Sequence, residues 1–442
     1  MNRDTGLLTS NPYKLFFKYL IPSISATLVT SIYLLADSII IGKGVGSDGL
    51  AALNLLLPLF SLYSGLGTLF GVGGGVLISM YNGSGDRKCA NTFFTVSTVC
   101  IAAVSLLMLI FSVTFFKPLL FALGATEESY PLVAEYSRYL VGFSFVFSLS
   151  NFLQTIVRND HAPKTAMIAV ISGGVANVIL DLIFIYLFDW GMAGGAIATV
   201  IGSLLTVCIL LTHFFSSKCT LSFVRGSICL KNILRVLHSG AASFLMEISA
   251  GIVTFVLNLQ ILKLIGNTGI VIYSVIANSS LIANSFFNGV AQASQPLIAT
   301  NYGARAMERV QKILRIAALI SAGLGIFFTG IGILFPARLI QIFVFSTPEI
   351  LNLGESALRI YFCTFLFINL NILLSTYFQS VIRPTLALIM NLLRGLFLST
   401  LFAFVFPALF GTSAIWFVMP AAECITLLLG AYFFYRSSRT AA

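Results

Sequence analysis

The chain has 442 residues, of which 58% are hydrophobic and only 9% are charged, and its mean hydropathy is +0.99. Soluble domains carry about 25% charged residues, so this composition excludes a soluble globular protein and indicates a polytopic membrane protein. The formal net charge of +10 does not indicate a nucleic-acid partner, because basic residues in short loops serve to orient membrane helices.

Apolar stretches long enough to cross a bilayer occur twelve times along the chain. A helix needs about 20 residues to cross roughly 30 Å of hydrocarbon. The predicted spans are residues 16–42, 50–79, 92–116, 131–157, 165–188, 191–215, 236–262, 270–297, 314–335, 352–378, 385–407 and 410–435. The breaks between them carry charges or Gly and Pro, as in NGSGDRKCAN and RNDHAPK. The pattern therefore predicts an all-α integral membrane protein with twelve transmembrane helices.

The distribution of Lys and Arg predicts the orientation of these helices. The two termini and the loops after even-numbered spans hold 18 basic residues, whereas the loops after odd-numbered spans hold four. Loops rich in Lys and Arg stay on the cytoplasmic side, so we expect a multi-pass protein of the inner (plasma) membrane with both termini in the cytoplasm. The start of the chain has no small-residue cleavage site after a short apolar core, so it is interpreted as a mature cytoplasmic end.

An internal repeat divides the chain into two halves. The segments that begin ATEESYPL at residue 125 and STPEILNL at residue 346 align without a gap, and the same offset of 221 pairs Pro163 with Pro384. Each half contains six spans, so the halves share one orientation and are expected to be related by a pseudo-twofold axis along the membrane normal. We predict an N-lobe at residues 1–215, a cytoplasmic linker at 216–235 and a C-lobe at 236–442.

Four acidic residues lie well inside predicted spans: Asp37, Asp181, Glu247 and Glu423. A carboxylate within the membrane is a functional-site hypothesis by default, because its burial costs several kcal/mol. The alternative is structural, with a protonated carboxyl group hydrogen-bonded between helices.

A group of oxygen-bearing side chains in the first half favours the functional interpretation. Asp37 lies in the first span, and Asn177 and Asp181 lie four residues apart on one face of the fifth. Thr199 follows in the sixth span, within GMAGGAIATVIG. Carboxylate, amide and hydroxyl oxygens are hard ligands that suit a sodium ion or a proton relay. The pattern predicts a cation site.

The predicted cation site is confined to one lobe. Tyr33, one turn before Asp37, can hydrogen-bond to that carboxylate, although an interfacial or packing tyrosine is an equal alternative. Asn151 lies in the fourth span. The repeat-equivalent positions in the second half are Asn258, Leu398 and Phe402, so the second half lacks the carboxylates.

Glu247 and Glu423 have a competing explanation in the deep cation Arg394. By the 1.5 Å rise per residue, all three lie at similar depths, so pairing of Arg394 with one of the two carboxylates is an equal alternative to substrate contact. The sequence leaves open which one. We expect all three near the substrate cavity, where an unpaired Glu247 would suit cationic substrates.

The remaining features favour structural roles. The segment GLGTLFGVGGGV of the second span predicts close helix packing, since no GxxxxGK[ST] motif is present. Pro22 is expected to bend the first helix. His161, His213 and His238 lie at loops or helix ends, where a solvated or phosphate-facing histidine is expected. The seven cysteines form no CxxC or Cys/His pattern, so no disulfide framework, zinc site or cofactor is expected.

The chain resembles the multidrug and toxic compound extrusion (MATE) family. The resemblance covers nearly all of the sequence: twelve helices in two halves, Pro22 fifteen residues before Asp37, ADSIIIGKGVGSDGLAALNLLLPL leading into the second span, and GGVANVILDLIFIY followed by GMAGGAIATVIG. It implies a monomeric antiporter, not an enzyme, in which inward movement of sodium or protons drives export of small organic cations across the lipid bilayer.

The resemblance also implies residue roles. Residues matching Asp37, Asp181, Asn177 and Thr199 form the cation site of the N-lobe in that family, and would be the metal ligands if sodium is the coupling ion. Tyr33 and Asn151 match polar neighbours of that site. Glu247 occupies a region where many members keep an acidic residue facing the substrate. This chain departs from the family in lacking an acidic residue on the tenth helix and in adding Arg394.

Two other functions are alternatives to export. A flippase for lipid-linked oligosaccharides would share the two-lobed architecture, but would need more helices or several cationic residues in its cavity. A membrane-embedded transferase would need a reactive His or an acidic pair near the membrane surface, whereas the carboxylates found here are deep.

Overall fold

The computed structural model describes residues 5–344 and 347–439 and is helical throughout. The apolar stretches form helices because only intra-helical hydrogen bonds satisfy backbone polar groups in hydrocarbon. The first half contains α1 (Thr5–Thr9), α2 (Pro12–Gly44), α3 (Ser47–Gly83), α4 (Arg87–Thr114), α5 (Phe116–Ala122), α6 (Tyr130–Gly142), α7 (Ser144–Asn159), α8 (Pro163–Asp181) with a π-helical turn (Leu182–Leu187), and α9 (Gly191–Thr212) with a 3₁₀ turn (His213–Phe215).

The second half repeats this order. It contains α10 (Leu230–Ile265), α11 (Asn267–Gly303), α12 (Met307–Leu334), α13 (Pro336–Phe343), α14 (Pro348–Phe362), α15 (Phe365–Ser380), α16 (Pro384–Leu392) with a π-helical turn (Leu393–Phe397), α17 (Leu398–Phe410), a 3₁₀ turn (Thr412–Phe417) and α18 (Val418–Arg439). Both halves thus place a π-helical turn in the fifth span.

Within the described residues, eleven helical segments are long and apolar enough to cross a membrane, and the bent pair α6 and α7 supplies a twelfth. The predicted fold, twelve membrane helices in two lobes, is confirmed. The fourth span differs from the prediction of one helix at 131–157, since α6 and α7 meet at an angle of 51°. The α2 helix runs unbroken through the buried Pro22, and a bend at Pro22 stays a prediction.

The internal repeat extends to unusual backbone conformations. Positive φ angles recur at offsets of 220 or 221 residues, at the pairs Gly46 and Gly266, Gly85 and Arg305, His161 and Ile382, and Gly191 and Gly411. Residues with side chains rarely adopt this region, so its use by His161 and Ile382 at matching turns is a strong sign of common architecture. Each turn directly precedes a helix that begins with Pro, Pro163 or Pro384.

The two lobes meet through glycines along α3, at mid-helix and near the end of the bundle where α3 and α11 end. A methyl group added to Gly240 of α10 would overlap the carbonyl oxygen of Leu69 in α3. Similarly, a methyl group on Gly83 of α3 would overlap the carbonyl oxygen of Thr300 in α11, and one on Gly303 that of Met80. The backbones therefore touch directly, and no side chain separates the lobes at these points.

The α2 helix takes part in both lobes. Its first half packs in an apolar cluster with C-lobe helices, in which Phe16 and Tyr19 are buried together with Leu297 and Ile313. At mid-helix, Thr27 Oγ1 donates to the Ser285 carbonyl oxygen of α11 at 2.7 Å. Its second half packs in the N-lobe cluster that includes Ile40 and Ile41.

The segment between the lobes is fastened to the N-lobe. The backbone N–H of Thr220 donates to Asp160 Oδ2 at 3.1 Å, and the Thr220 hydroxyl donates to Oδ1. His213 Nε2 lies 2.7 Å from the same Oδ2. The expectation of a solvated His213 is wrong: the side chain is 3% exposed, because the segment packs over it.

Two further hydrogen bonds hold the following residues. The backbone N–H of Ser222 donates to Asn91 Oδ1 at 3.1 Å, and that of Val224 donates to Thr95 Oγ1 at 3.0 Å. The α10 helix begins at Leu230, earlier than the predicted start of the seventh span at 236. The lobe boundary at 216–235 stays a prediction.

Candidate functional site

Glycines bring α2, α8 and α9 close enough to place their polar side chains together. A methyl group on Gly174 of α8 would lie 2.8 Å from the Tyr33 ring of α2, and one on Gly202 of α9 would lie 2.9 Å from Asn177 Cβ of α8. Since real Cβ atoms do not approach this closely, larger residues there would push the helices apart. The small residues of GGVAN and GGAIATVIG thus set the geometry of the site.

Asp37 and Asp181 lie side by side within the N-lobe, at exposures of 6% and 0%. Their carboxyl groups are close enough to hydrogen-bond to each other when one of them is protonated. Among the described residues, no donor reaches Asp37 Oδ1 or either carboxylate oxygen of Asp181. Two adjacent ionised carboxylates without donors are unstable in a dry interior, so the pair requires a proton or a bound cation.

Two more oxygen atoms face the same region. Asn177 is 3% exposed, and its Nδ2 donates to Thr199 Oγ1 at 3.3 Å, which leaves Asn177 Oδ1 without a donor in the described chain. Thr199 Oγ1 also lies 3.5 Å from the Tyr136 hydroxyl of α6. The arrangement directs carboxylate, amide and hydroxyl oxygens towards one place, and these are the ligands that hard cations prefer.

A small cavity of about 40 Å³ reaches Asp37. It is lined by Tyr33, Asp37, Tyr136, Asn177 and Thr199 together with the apolar residues Leu34, Leu53, Leu56, Phe60 and Leu140. Tyr33 and Asp37 share this wall without a hydrogen bond between them in the described structure. A space of this size is enough for a water molecule or a small ion and too small for an organic substrate.

A larger cavity of about 390 Å³ lies between the lobes. Its walls come from α2, α3, α7, α8, α9, α10, α11 and α15, and most of its lining side chains are amides and hydroxyls. Tyr33, Asn177 and Thr199 line both cavities, so the two spaces share a wall. Asn151 of α7 lines the large cavity and not the small one.

Glu247 lies on the α10 wall of the large cavity, beside α3: a methyl group on Gly65 would lie 3.8 Å from Glu247 Cβ. Within residues 5–344 and 347–439, no side chain forms an ion pair or hydrogen bond with Glu247. Its carboxyl group is therefore available to a ligand in the cavity.

Arg394 and Glu423 pair with each other. Arg394 Nε donates to Glu423 Oε1 at 3.0 Å, and Asn371 Nδ2 donates to Glu423 Oε2 at 2.7 Å. The two side chains are 10% and 1% exposed. Neither residue is among those that line the large cavity. The sequence left two partners for Arg394 open, and the structure places Glu423 beside it.

Two residues of these cavities escaped the sequence-based reasoning. Tyr136 belongs to an ordinary amphipathic segment, and its hydroxyl lies beside Thr199 in the small cavity. In the sequence, Arg158 directly follows the predicted fourth span and is one of the basic residues of the loop after it, but in the structure it lies in the last turn of α7 and lines the large cavity. Its one sequence signal is its position just before a helix-ending turn.

The sequence profile of the MatE family matches residues 22–183 and 242–405. Among curated relatives, the multidrug export protein MepA of Staphylococcus saprophyticus is 27% identical over 428 residues, which cover 95% of this chain and 92% of the relative. The MepA protein of Staphylococcus aureus strain NCTC 8325 is 26% identical over 420 residues, with 94% and 92% covered.

Solved structures share the fold. A multidrug resistance MATE family transporter of the MOP superfamily, in an outward-facing conformation, superposes with a TM-score of 0.92 at 23% identity, covering 99% of this chain and 98% of that chain. A MOP superfamily transporter from Pyrococcus furiosus superposes with a TM-score of 0.91 at 23% identity, covering 100% and 98%. The two-lobed arrangement of helices is therefore that of known transporters.

Proposed function

Because the chain is a transporter of the MatE family, we propose that it exports small amphipathic organic molecules, many of them cationic, in exchange for sodium ions or protons. The relatives named multidrug export protein support drug export as the outward half of this exchange. The coupling half rests on one observation: two buried neighbouring carboxylates, Asp37 and Asp181, three of whose four oxygens are buried without a donor within the described chain.

In this proposal Asp37 exchanges the coupling ion, and Asp181, Asn177 and Thr199 complete its site. An arriving cation offsets one of the two negative charges of a carboxylate pair in a dry pocket and reduces the repulsion between them, and the energy of that change drives the conformational change. If the ion is sodium, the ligands are the four side-chain groups of these residues; if it is a proton, the two carboxyl groups share it.

The shared wall between the cavities supports coupling. Tyr33, Asn177 and Thr199 face both spaces, so occupation of the ion site alters the surface that the substrate contacts. A ligand shifts a conformational equilibrium only as far as its affinities for the two states differ. Because the coupling ion and the substrate both contact this shared wall, a movement of the wall changes the affinity of the protein for each of them.

Alternating access completes the proposal. The glycine contacts at Gly83 and Gly303 close the end of the bundle that the Lys and Arg distribution assigns to the cytoplasm, and the contact at Gly240 joins the lobes deeper along α3. We assign the structure to an outward-facing state, in which the large cavity is separated from the cytoplasm. Rocking of the lobes about this contact would expose the same cavity to the other side.

The test is transport by the purified chain in proteoliposomes loaded with ethidium. A sodium gradient and a proton gradient are imposed in separate experiments, and the one that drives efflux identifies the coupling ion. Asp37→Asn keeps the size and a hydrogen-bonding group but removes the ionisable carboxyl group. We therefore expect gradient-driven efflux to fall to the level of ethidium-loaded liposomes without protein.

The matched control is Asp189→Asn. Asp189 lies exposed after the π-helical turn that follows Asp181 and is not among the residues that line either cavity, so the same chemical change is made outside both cavities. Efflux by this control should match the original chain. Undiminished gradient-driven efflux by Asp37→Asn, at equal protein levels, would contradict the coupling assignment.

A further inference from the structure

The large cavity contains a buried guanidinium group without a counter-ion. Arg158 of α7 is 4% exposed and lines this cavity. Its Nη1 donates to Gln292 Oε1 of α11 at 2.5 Å, whereas its buried Nε has no hydrogen-bond partner in the described chain. No carboxylate among residues 5–344 and 347–439 lies within ion-pair distance of it. A buried charge is costly unless it is paired, so the group is poised for an anion.

The nearest carboxylate in sequence does not serve as that counter-ion. Asp160 lies two residues further on, but its two oxygens accept hydrogen bonds from Thr220 and contact His213. Asp160 is 1% exposed and faces the inter-lobe segment rather than the cavity. The guanidinium group of Arg158 is therefore available to an anionic group in the cavity.

Arg158 and Glu247 are the two charged residues among the described residues that line this cavity, and they attach to its wall at different levels. Asn159, the neighbour of Arg158, packs on Gly75 of α3: a methyl group added to Gly75 would lie 2.7 Å from Asn159 Nδ2. Glu247 packs beside Gly65 of the same helix. Ten residues of α3 separate these levels, which is roughly 15 Å at the helical rise. The cavity is thus positive at the level where α7 ends and negative nearer its middle.

We propose that Arg158 is a binding subsite for an anionic group of the transported molecule, a carboxylate or a group of similar charge, with Gln292 as its orienting partner. This inference rests on the proposed export function and specifies its substrates. The cavity selects elongated amphipathic molecules that carry an acidic group at one end, bound by Arg158, and a basic or cationic group further along, bound by Glu247.

Physical chemistry favours this class over simple cations. Bidentate contact with a carboxylate is the geometry that a guanidinium recognises best, and Gln292 holds one side of the fork through its hydrogen bond to Nη1. A purely cationic molecule would leave Arg158 unpaired and would meet its repulsion. The amide groups of Gln154, Asn288 and Gln295, which also line the cavity, can satisfy further polar atoms of a zwitterion.

The probe is a matched pair of dyes, rhodamine B and its ethyl ester. Both carry the same xanthylium cation, and only the acid carries a free carboxylate. Dissociation constants are measured by fluorescence anisotropy with the full chain in lipid nanodiscs, with empty nanodiscs as the blank. The readout is the ratio of the affinity for the acid to the affinity for the ester, which cancels general effects of a substitution on the cavity.

Arg158→Gln is expected to lower this ratio by about tenfold or more, because a charge-assisted bidentate contact is lost. Arg158→Lys keeps the charge and should retain most of the ratio. Gln292→Glu places a carboxylate on the guanidinium, so it should lower the ratio as Arg158→Gln does. This third variant tests the inference even if Arg158→Gln does not fold.

An acid-to-ester ratio in Gln292→Glu and in any folded Arg158→Gln that stays within about twofold of the original chain overturns the anion subsite. Failure of the proposed function gives a different result. If neither dye moves under a sodium or proton gradient while the ratio still depends on Arg158, the export function falls and the anion subsite stands.

Discussion

A methyl group added to Gly240 should weaken the closure between the lobes. In the structure this methyl group would overlap the carbonyl oxygen of Leu69, and Cβ atoms are not found within 3.0 Å of such an atom. Helices α3 and α10 would have to move apart by about 1.2 Å to relieve the overlap in Gly240→Ala. Overpacking of this kind costs about 1–3 kcal/mol. We expect this cost to destabilise the closed state alone, because the two helices touch there.

The control lies on the same helix. Gly251 of α10 has no atom within 4 Å of the position of an added methyl group, so Gly251→Ala changes helix propensity and nothing else. In the proposed movement the lobes shift as bodies and α10 stays helical, so we expect higher propensity to stabilise the closed and open states equally. The difference between the two variants therefore isolates the contact with Leu69. A cost of about 1–3 kcal/mol lowers the ratio of closed to open molecules by about 5-fold to 150-fold.

The assay is a distance measurement by pulsed electron paramagnetic resonance. Spin labels are placed at Lys88 and Glu308, exposed residues at the start of α4 and α12 on opposite lobes, in a background without the native cysteines. Gly240→Ala should add a population with a longer distance, and Gly251→Ala should not. Identical distance distributions in the two variants, both folded, would refute the role of this backbone contact in closure.

Two further predictions concern buried polar pairs. Arg394→Ala should lower the free energy of unfolding by about 3–5 kcal/mol, because it leaves the Glu423 carboxylate buried without its partner. Thermal unfolding in detergent measures this change, and the double variant Arg394→Met with Glu423→Leu should recover stability. Equal melting temperatures for Arg394→Ala and the original chain would contradict the pairing. Asp160→Ala should release the inter-lobe segment and speed trypsin cleavage at Lys218 and Arg225, which limited proteolysis measures; cleavage at the original rate would show that Asp160 does not hold the segment.

The fold was largely predictable from the sequence because a bilayer leaves few alternatives. The length of apolar stretches predicted every span, and the matching turns at Pro163 and Pro384 predicted the repeat that positive φ angles at His161 and Ile382 bear out. The break between α6 and α7 was missed, since hydropathy does not register a change of direction within an apolar stretch.

The site was predictable only where a residue violates membrane chemistry. Asp37 and Asp181 stand out as carboxylates in apolar runs, whereas Tyr136 is a residue type that membrane helices use freely. Which carboxylate pairs with Arg394 depends on how three helices are rotated about their axes. The depth of a residue in the membrane does not indicate that rotation. Arg158 was obscured by its place at a helix end, where a positive charge is expected.

The fastening of the inter-lobe segment limits how far the lobes can travel. Since Thr220, Ser222 and Val224 are bonded to N-lobe residues, the segment up to Val224 moves with that lobe. The tether that remains before α10 is residues 225–229, whose fully extended reach is at most roughly 18 Å. In the proposed transport cycle, the distance that can open between Val224 and the start of α10 is thus bounded by a tether of five residues.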